Sequence, residues 1–139
     1  PIKCFIANYG GVLDNAKSLV EIMTLSKTPI YTIAIGMCAS AASMIYLAGT
    51  KRLATKNVTF LFHQGSCSNL EGSYAEISQF MDNYKKDIDE LRDYYKKYTN
   101  FPPEKIDDCL EKGDWYVRPD EGLENGVIDE IVEDIEILL

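Results

Sequence analysis

Histidine is nearly absent from this chain of 139 residues: His63 stands alone, beside one tryptophan and four cysteines. With a single imidazole, and no C-x-x-C pair among Cys4, Cys38, Cys67 and Cys109, neither a zinc shell nor a redox dithiol has its ligands, and no metal or cofactor is expected. The cysteines read as free thiols, which makes a reducing compartment the expectation. Positive charge is also short, since 14 Lys and Arg face 22 Asp and Glu for a formal net charge of −8. A surface that tracks nucleic-acid phosphates needs clustered cations. The densest basic stretches, Lys85-Lys86 and Lys96-Lys97, are interleaved with Asp82, Asp87, Asp89, Glu90 and Asp93, and read as a solvated helix face rather than a nucleic-acid surface. No apolar run reaches transmembrane length and no basic-then-apolar signal opens the chain, so a cytoplasmic protein with no membrane partner is expected. The chain opens at Pro1 directly in strand-like sequence, and a missing or removed N-terminal segment is expected.

What is present is a hydrophobic fraction of 46%, enough for one core of ordinary size, and residues 1–139 are assigned to one domain. Strand and helix patterns alternate through the first half, the signature of parallel βαβ units. Ile2 to Ala7 reads as a buried strand, Val12 to Leu25 as a helix through Leu13, Ala16, Leu19, Val20 and Met23, and Ile30 to Ile35 as a second buried strand. A short helix is expected from Ser40 to Ala48, an exposed stretch at "TKRLATKN", and a third strand at Val58 to Phe62 that ends at His63. From Ser73 to about Tyr98, apolar and aromatic residues recur at three- and four-residue intervals, which predicts one long amphipathic helix. Its stripe could pack on the sheet, or its far end could project against another subunit. Pro103 suits the first turn of a further helix, Asn125-Gly126 closes a last short one, and Val127 to Val132 reads as a final strand.

In open parallel sheets, ligands bind beyond the carboxyl ends of the strands. Gly10-Gly11, Ser40 and His63 each follow a predicted strand and so meet at that edge. A glycine turn, a serine at a helix start and a lone histidine are individually commonplace. Together they supply oxyanion donors, a nucleophile and a base, the parts of an acyl-transfer site. The stretch "AIGMCASAAS" thins its side chains around Ser40, which leaves room for a substrate backbone, and a helix starting there frees the N–H of Ala41. Ser43 would lie one turn inside that helix, where its hydroxyl bonds back to a carbonyl or simply keeps the helix slim for close packing. Imidazole needs a carboxylate to fix its tautomer. Asp114 in "KGDWYV", entering an aromatic stretch expected to be buried, is the attractive candidate among many acids, with a loop or capping role as its alternative.

At these residues the chain resembles the Clp protease proteolytic subunit (ClpP) family of serine peptidases. "TIAIGMCASAAS" is similar to the family's serine signature, whose glycine-to-serine offset selects Ser40 over Ser43, and "RLATKNVTFLFHQ" to its histidine signature at His63. "NYGGV" is similar to the segment whose second glycine, here Gly11, gives an oxyanion N–H, and "GDWYVRPDEGLENGVIDEI" to the segment that places the triad aspartate at Asp114. The resemblance runs from about Ile2 to Ile131. Cys38 and Gly65 stand where alanine and proline are usual, and the spacing from Ser40 to His63 is slightly short.

The resemblance implies an α/β fold, a ClpP/crotonase-like parallel-sheet βαβ core with a long projecting handle helix. It implies a serine endopeptidase with catalytic Ser40, His63 and Asp114 and an oxyanion hole from Gly11 and Ala41, acting on peptides and unfolded proteins without a cofactor. It further implies heptameric rings stacked in pairs through the handle, a tetradecamer whose chamber an unfolding AAA+ ATPase feeds. Two other functions fit the same sequence features: a ClpP-like structural subunit that assembles without cutting, and a crotonase-like hydrolase or lyase that uses the oxyanion hole without a serine nucleophile.

Overall fold

β2 (Ile30–Ala39) is the strand around which the computed structural model is organised; the structure describes residues 1–138. It pairs in parallel with β1 (Ile2–Asn8), β3 (Lys51–Thr55) and β4 (Thr59–Phe62). β6 (Glu130–Val132) runs parallel beside β3, and β5 (Trp115–Val117) runs antiparallel beside β4. The path β5-β4-β2-β3-β6, with β1 also on β2, is an α/β sheet. Its connections carry α1 (Leu13–Leu25) and α2 (Ala41–Leu47), followed by α3 (Tyr74–Tyr98), α4 (Pro103–Glu111) and α5 (Pro119–Glu124).

β2 serves two neighbours in succession. Tyr31 to Ala34 lie opposite β3, Met37 to Ala39 lie opposite β4, and Gly36 stands between them with φ of +67°, a left-handed conformation that a side chain would strain. The expected strand ended at Ile35; it continues to Ala39 because β4 takes up hydrogen bonding where β3 leaves off.

Three further expectations are corrected. The stretch expected to be exposed at "TKRLATKN" contains β3, whose Leu53 and Ala54 are buried between β2 and β6, with charged residues only in its first two positions. β1 buries Ile6 alone, because its one sheet neighbour is β2 and its Ile2 and Phe5 face solvent. The final strand is confined to Glu130–Val132: the Val127 and Ile128 N–H groups both donate to the Gly122 carbonyl in the turn after α5, which seats those side chains in the core.

Aromatic side chains fill the interior at the end of β4. Phe62 packs edge-on against Tyr95 and Phe101, at ring separations of 5.4 and 5.1 Å, and Phe101 meets Trp115 at 4.6 Å. The long helix is present as expected, starting with Ser73 as its cap: the Ser73 hydroxyl accepts the Glu76 N–H. Its stripe divides. Leu91 and Tyr95 are buried in the chain's own core, with Ile88 packed beside them, whereas Tyr74, Phe80 and Met81 are 89%, 43% and 46% exposed. Among the described residues no helix is long and apolar enough to cross a membrane.

Candidate active site

The sheet edge where the sequence features converge is built by two strand ends and two loops. Ser40 follows β2 and caps α2 with φ of 58° and ψ of −124°, a sparsely populated conformation for a residue with a side chain. A sharp strand-to-helix turn of this kind lifts a serine hydroxyl out of the sheet. The Ser40 N–H is engaged, donating to the Leu61 carbonyl at 2.9 Å, so the turn is stitched to β4. Ala41 opens α2 and carries one of the N–H groups that a helix leaves without an intrahelical acceptor.

His63 directly follows β4, and its Nε2 lies 2.6 Å from the Ser40 Oγ, a short hydrogen bond. Its Nδ1 faces Asp114 Oδ1 at 3.3 Å. Strand register explains that approach. Phe62 is paired with Trp115 across β4 and β5, so the residue after one and the residue before the other are brought opposite each other. Asp114 is 52% exposed, and the aromatic stretch expected to be buried is so only in part: Val117 is the buried residue of β5, while Trp115 is half-buried and Tyr116 exposed.

The glycine pair completes the edge. Gly10, with φ of +103°, presses so closely on the Ser40 turn that a Cβ there would stand 2.8 Å from the Ala39 carbonyl oxygen and from the Ser40 Cβ. Its N–H is held by the Asn8 side chain at 2.7 Å. Gly11 lies beyond this contact and, together with Ala41, Ser40 and His63, lines a cavity of about 470 Å³ between α2 and α3. Ser43 is fully buried with its hydroxyl 2.9 Å from the Cys38 carbonyl oxygen and 3.1 Å from that of Leu61. Only Ser40, of the two serines, reaches the imidazole.

One acid was misplaced by its charged surroundings in the sequence. Asp87, expected on the solvated face of the long helix, lines the cavity with Ile88 and Leu91, and its side chain is only 21% exposed. Its offset of three from Tyr84 and four from Leu91 sets it on the apolar stripe, the signal that could have located it. Lys17 on α1 reaches Asp87 at 3.1 Å and Glu90 at 3.0 Å, and the bonds to Glu90 and Asp87 hold the Lys17 ammonium above its ordinary pKa. Burial pushes the Cys38 thiol, two residues before Ser40, up to about 12. Among the described residues no group of acids, histidine and cysteines is arranged to hold a metal ion.

The geometry sets a serine hydroxyl against an imidazole, which in turn faces a carboxylate, at the mouth of a cavity. Comparison with known proteins agrees in kind. The Clp protease family model matches residues 1–135. Two curated relatives, each named an ATP-dependent Clp protease proteolytic subunit, come from Deinococcus radiodurans and Dehalococcoides mccartyi. Each is 31% identical over 134 residues, a match covering 95% of this chain and 65% and 66% of theirs, so the chain spans just under two thirds of their length. The solved structure of a ClpP1 mutant from Listeria monocytogenes superposes with a TM-score of 0.85, covering 100% of this chain and 77% of that one. At 23% identity that likeness establishes the fold.

Proposed function

Since the chain belongs to the Clp protease family, we propose that it is a serine endopeptidase in which Ser40, His63 and Asp114 form the catalytic triad and the Gly11 and Ala41 N–H groups form the oxyanion hole. The observation that carries this reading is the 2.6 Å contact between Ser40 Oγ and His63 Nε2 on a turn that forces Ser40 into left-handed φ. His63 Nε2 accepts the hydroxyl proton as Ser40 Oγ adds to the peptide carbonyl. The oxyanion that forms is held by the two N–H groups, and Nε2 returns the proton to the departing amine. Water then releases the acyl group by the same steps in reverse. Asp114 sets the imidazole tautomer through Nδ1 and stabilises the imidazolium.

Substrates in this reading are peptides and unfolded proteins, cut by residues 1–139 acting as one peptidase domain within heptameric rings stacked in pairs. An unfolding ATPase partner of the AAA+ class supplies folded substrates. Support for assembly comes from the apolar residues the single chain leaves in water: Ile2 and Phe5 on β1, Leu19, Ile22 and Leu25 on α1, and Phe80 and Met81 on α3. The deciding experiment is labelling with a fluorophosphonate, followed by peptide mapping. Modification confined to Ser40 is the expected result. Labelling that persists in Ser40→Ala, or a chain that assembles yet neither labels nor cleaves peptides, overturns the assignment.

A further inference from the structure

We infer that Asp87 reads the substrate side chain just before the cut bond, favouring a long residue with a cationic end, lysine or arginine, over an acidic one. The inference rests on the peptidase reading and deepens it. A carbonyl carbon held at Ser40 Oγ, with its oxygen toward Gly11 and Ala41, leaves its own residue's side chain nearest the cavity between α2 and α3. The walls there are apolar, with Met44 from α2 and Ile88 and Leu91 from α3, and suit a methylene stem. Asp87 is the sole carboxylate on that lining, and no Lys or Arg shares it among the described residues.

The local charge count gives the sign of selection. Lys17 bonds Asp87 Oδ1 and is divided between that carboxylate and Glu90, so one cation serves two anions and the cluster retains a net negative charge. The second oxygen of Asp87 is left to accept from a substrate ammonium or guanidinium, a charge-assisted bond in a half-buried setting. A substrate carboxylate in the same place meets like charge with no donor to offset it.

The test uses the full chain in its native assembly and three fluorogenic peptides that differ only in the residue before the reporter: Leu, Lys or Glu. Rates are normalised to the fraction of chain that fluorophosphonate labels. For the unaltered chain, kcat/KM should rank Lys above Glu by tenfold or more. Asp87→Asn should lower the Lys-to-Leu ratio by about tenfold, the scale of one charge-assisted bond, and raise the Glu-to-Leu ratio. Lys17→Met removes the competing cation and should move the Lys-to-Leu ratio the opposite way, upward. Ratios that are the same in all three proteins, or a parallel fall for every peptide, overturn the inference while leaving the peptidase intact. Absence of labelling and of all cleavage overturns the peptidase reading and this inference with it.

Discussion

Ser40 and Ser43 are three residues apart and chemically alike, yet their surroundings assign them different work. The Ser43 hydroxyl is buried against the Cys38 and Leu61 carbonyls. Ser43→Ala should therefore cost about 1 kcal/mol of stability, as one lost internal hydrogen bond does, and leave fluorophosphonate labelling in place. Ser40→Ala should abolish labelling and reduce peptide kcat by about 10⁶, the usual consequence of losing a triad serine; mass spectrometry and initial rates separate the two outcomes. Cysteines divide in the same manner. Cys38 and Cys109 are buried with thiols pushed up to about 12 and about 11, while Cys67 is exposed on the loop after His63. Iodoacetamide near pH 8 should modify Cys67 and spare the two buried thiols. Because the folded values lie above the ordinary thiol value of 9.0, the unfolded chain gives up these protons first, so their stabilising effect is complete below about pH 9 and fades as pH climbs toward 11 and 12. Denaturant midpoints measured between pH 8 and pH 11 should fall accordingly, and flat midpoints would contradict the burial of both thiols.

At the scale of elements, the β4–β5 pair is the device that sets the imidazole and the carboxylate face to face. β5 is three residues long, and its far end is fastened by Arg118, whose Nη1 donates to the Thr59 Oγ1 at 2.6 Å. Arg118→Ala should loosen the register more than it weakens the fold. We expect a several-fold loss in kcat with a stability change of about 1 kcal/mol or less, since this hydrogen bond is exposed, and partial recovery in Arg118→Lys. Steady-state rates read beside thermal melting test this, and an unchanged kcat would mean that the three paired residues hold Asp114 by themselves. How far these elements could be foreseen follows from their signals. The long helix was legible because its three- and four-residue period runs unbroken from Ser73 to Tyr98, and the meeting of Ser40, His63 and Asp114 was legible because each sits in a stretch that resembles a family motif. β3 was hidden by Lys51, Arg52 and Lys56, whose charges mask a two-residue apolar centre that only its neighbours bury. β5 is too short to carry a period, and its pairing depends on a partner more than fifty residues away. Asp87 was lost among acids that differ from it only in which way the helix turns them.

For the molecule as a whole, the division of the α3 stripe decides which residues can test the proposed ring assembly. Ile88, Leu91 and Tyr95 belong to the chain's own core, so charge placed there would damage the fold, and a change in oligomer size would then say nothing of contacts between subunits. Phe80 and Met81 are the better probes, being exposed on the first half of the helix. Phe80→Asp and Met81→Asp should halve the particle or shrink it further, with thermal stability of the single chain changed by less than about 1 kcal/mol and peptide cleavage reduced. Light scattering alongside melting curves checks both, and an active monomer of the unaltered chain would refute ring assembly. The aromatic cluster at the end of β4 bears on the same question optically. Trp115 is the chain's single indole, it adjoins Asp114, its ring packs at a tilt against Phe101, and Lys105 lies 5.6 Å from its ring. Its emission is therefore free of background from any other tryptophan, and the wavelength and quenching of that emission register how water and charge reach the strand that carries the carboxylate. Recording this fluorescence while the chain is diluted would show whether contacts in the proposed assembly reach the edge where Ser40, His63 and Asp114 meet.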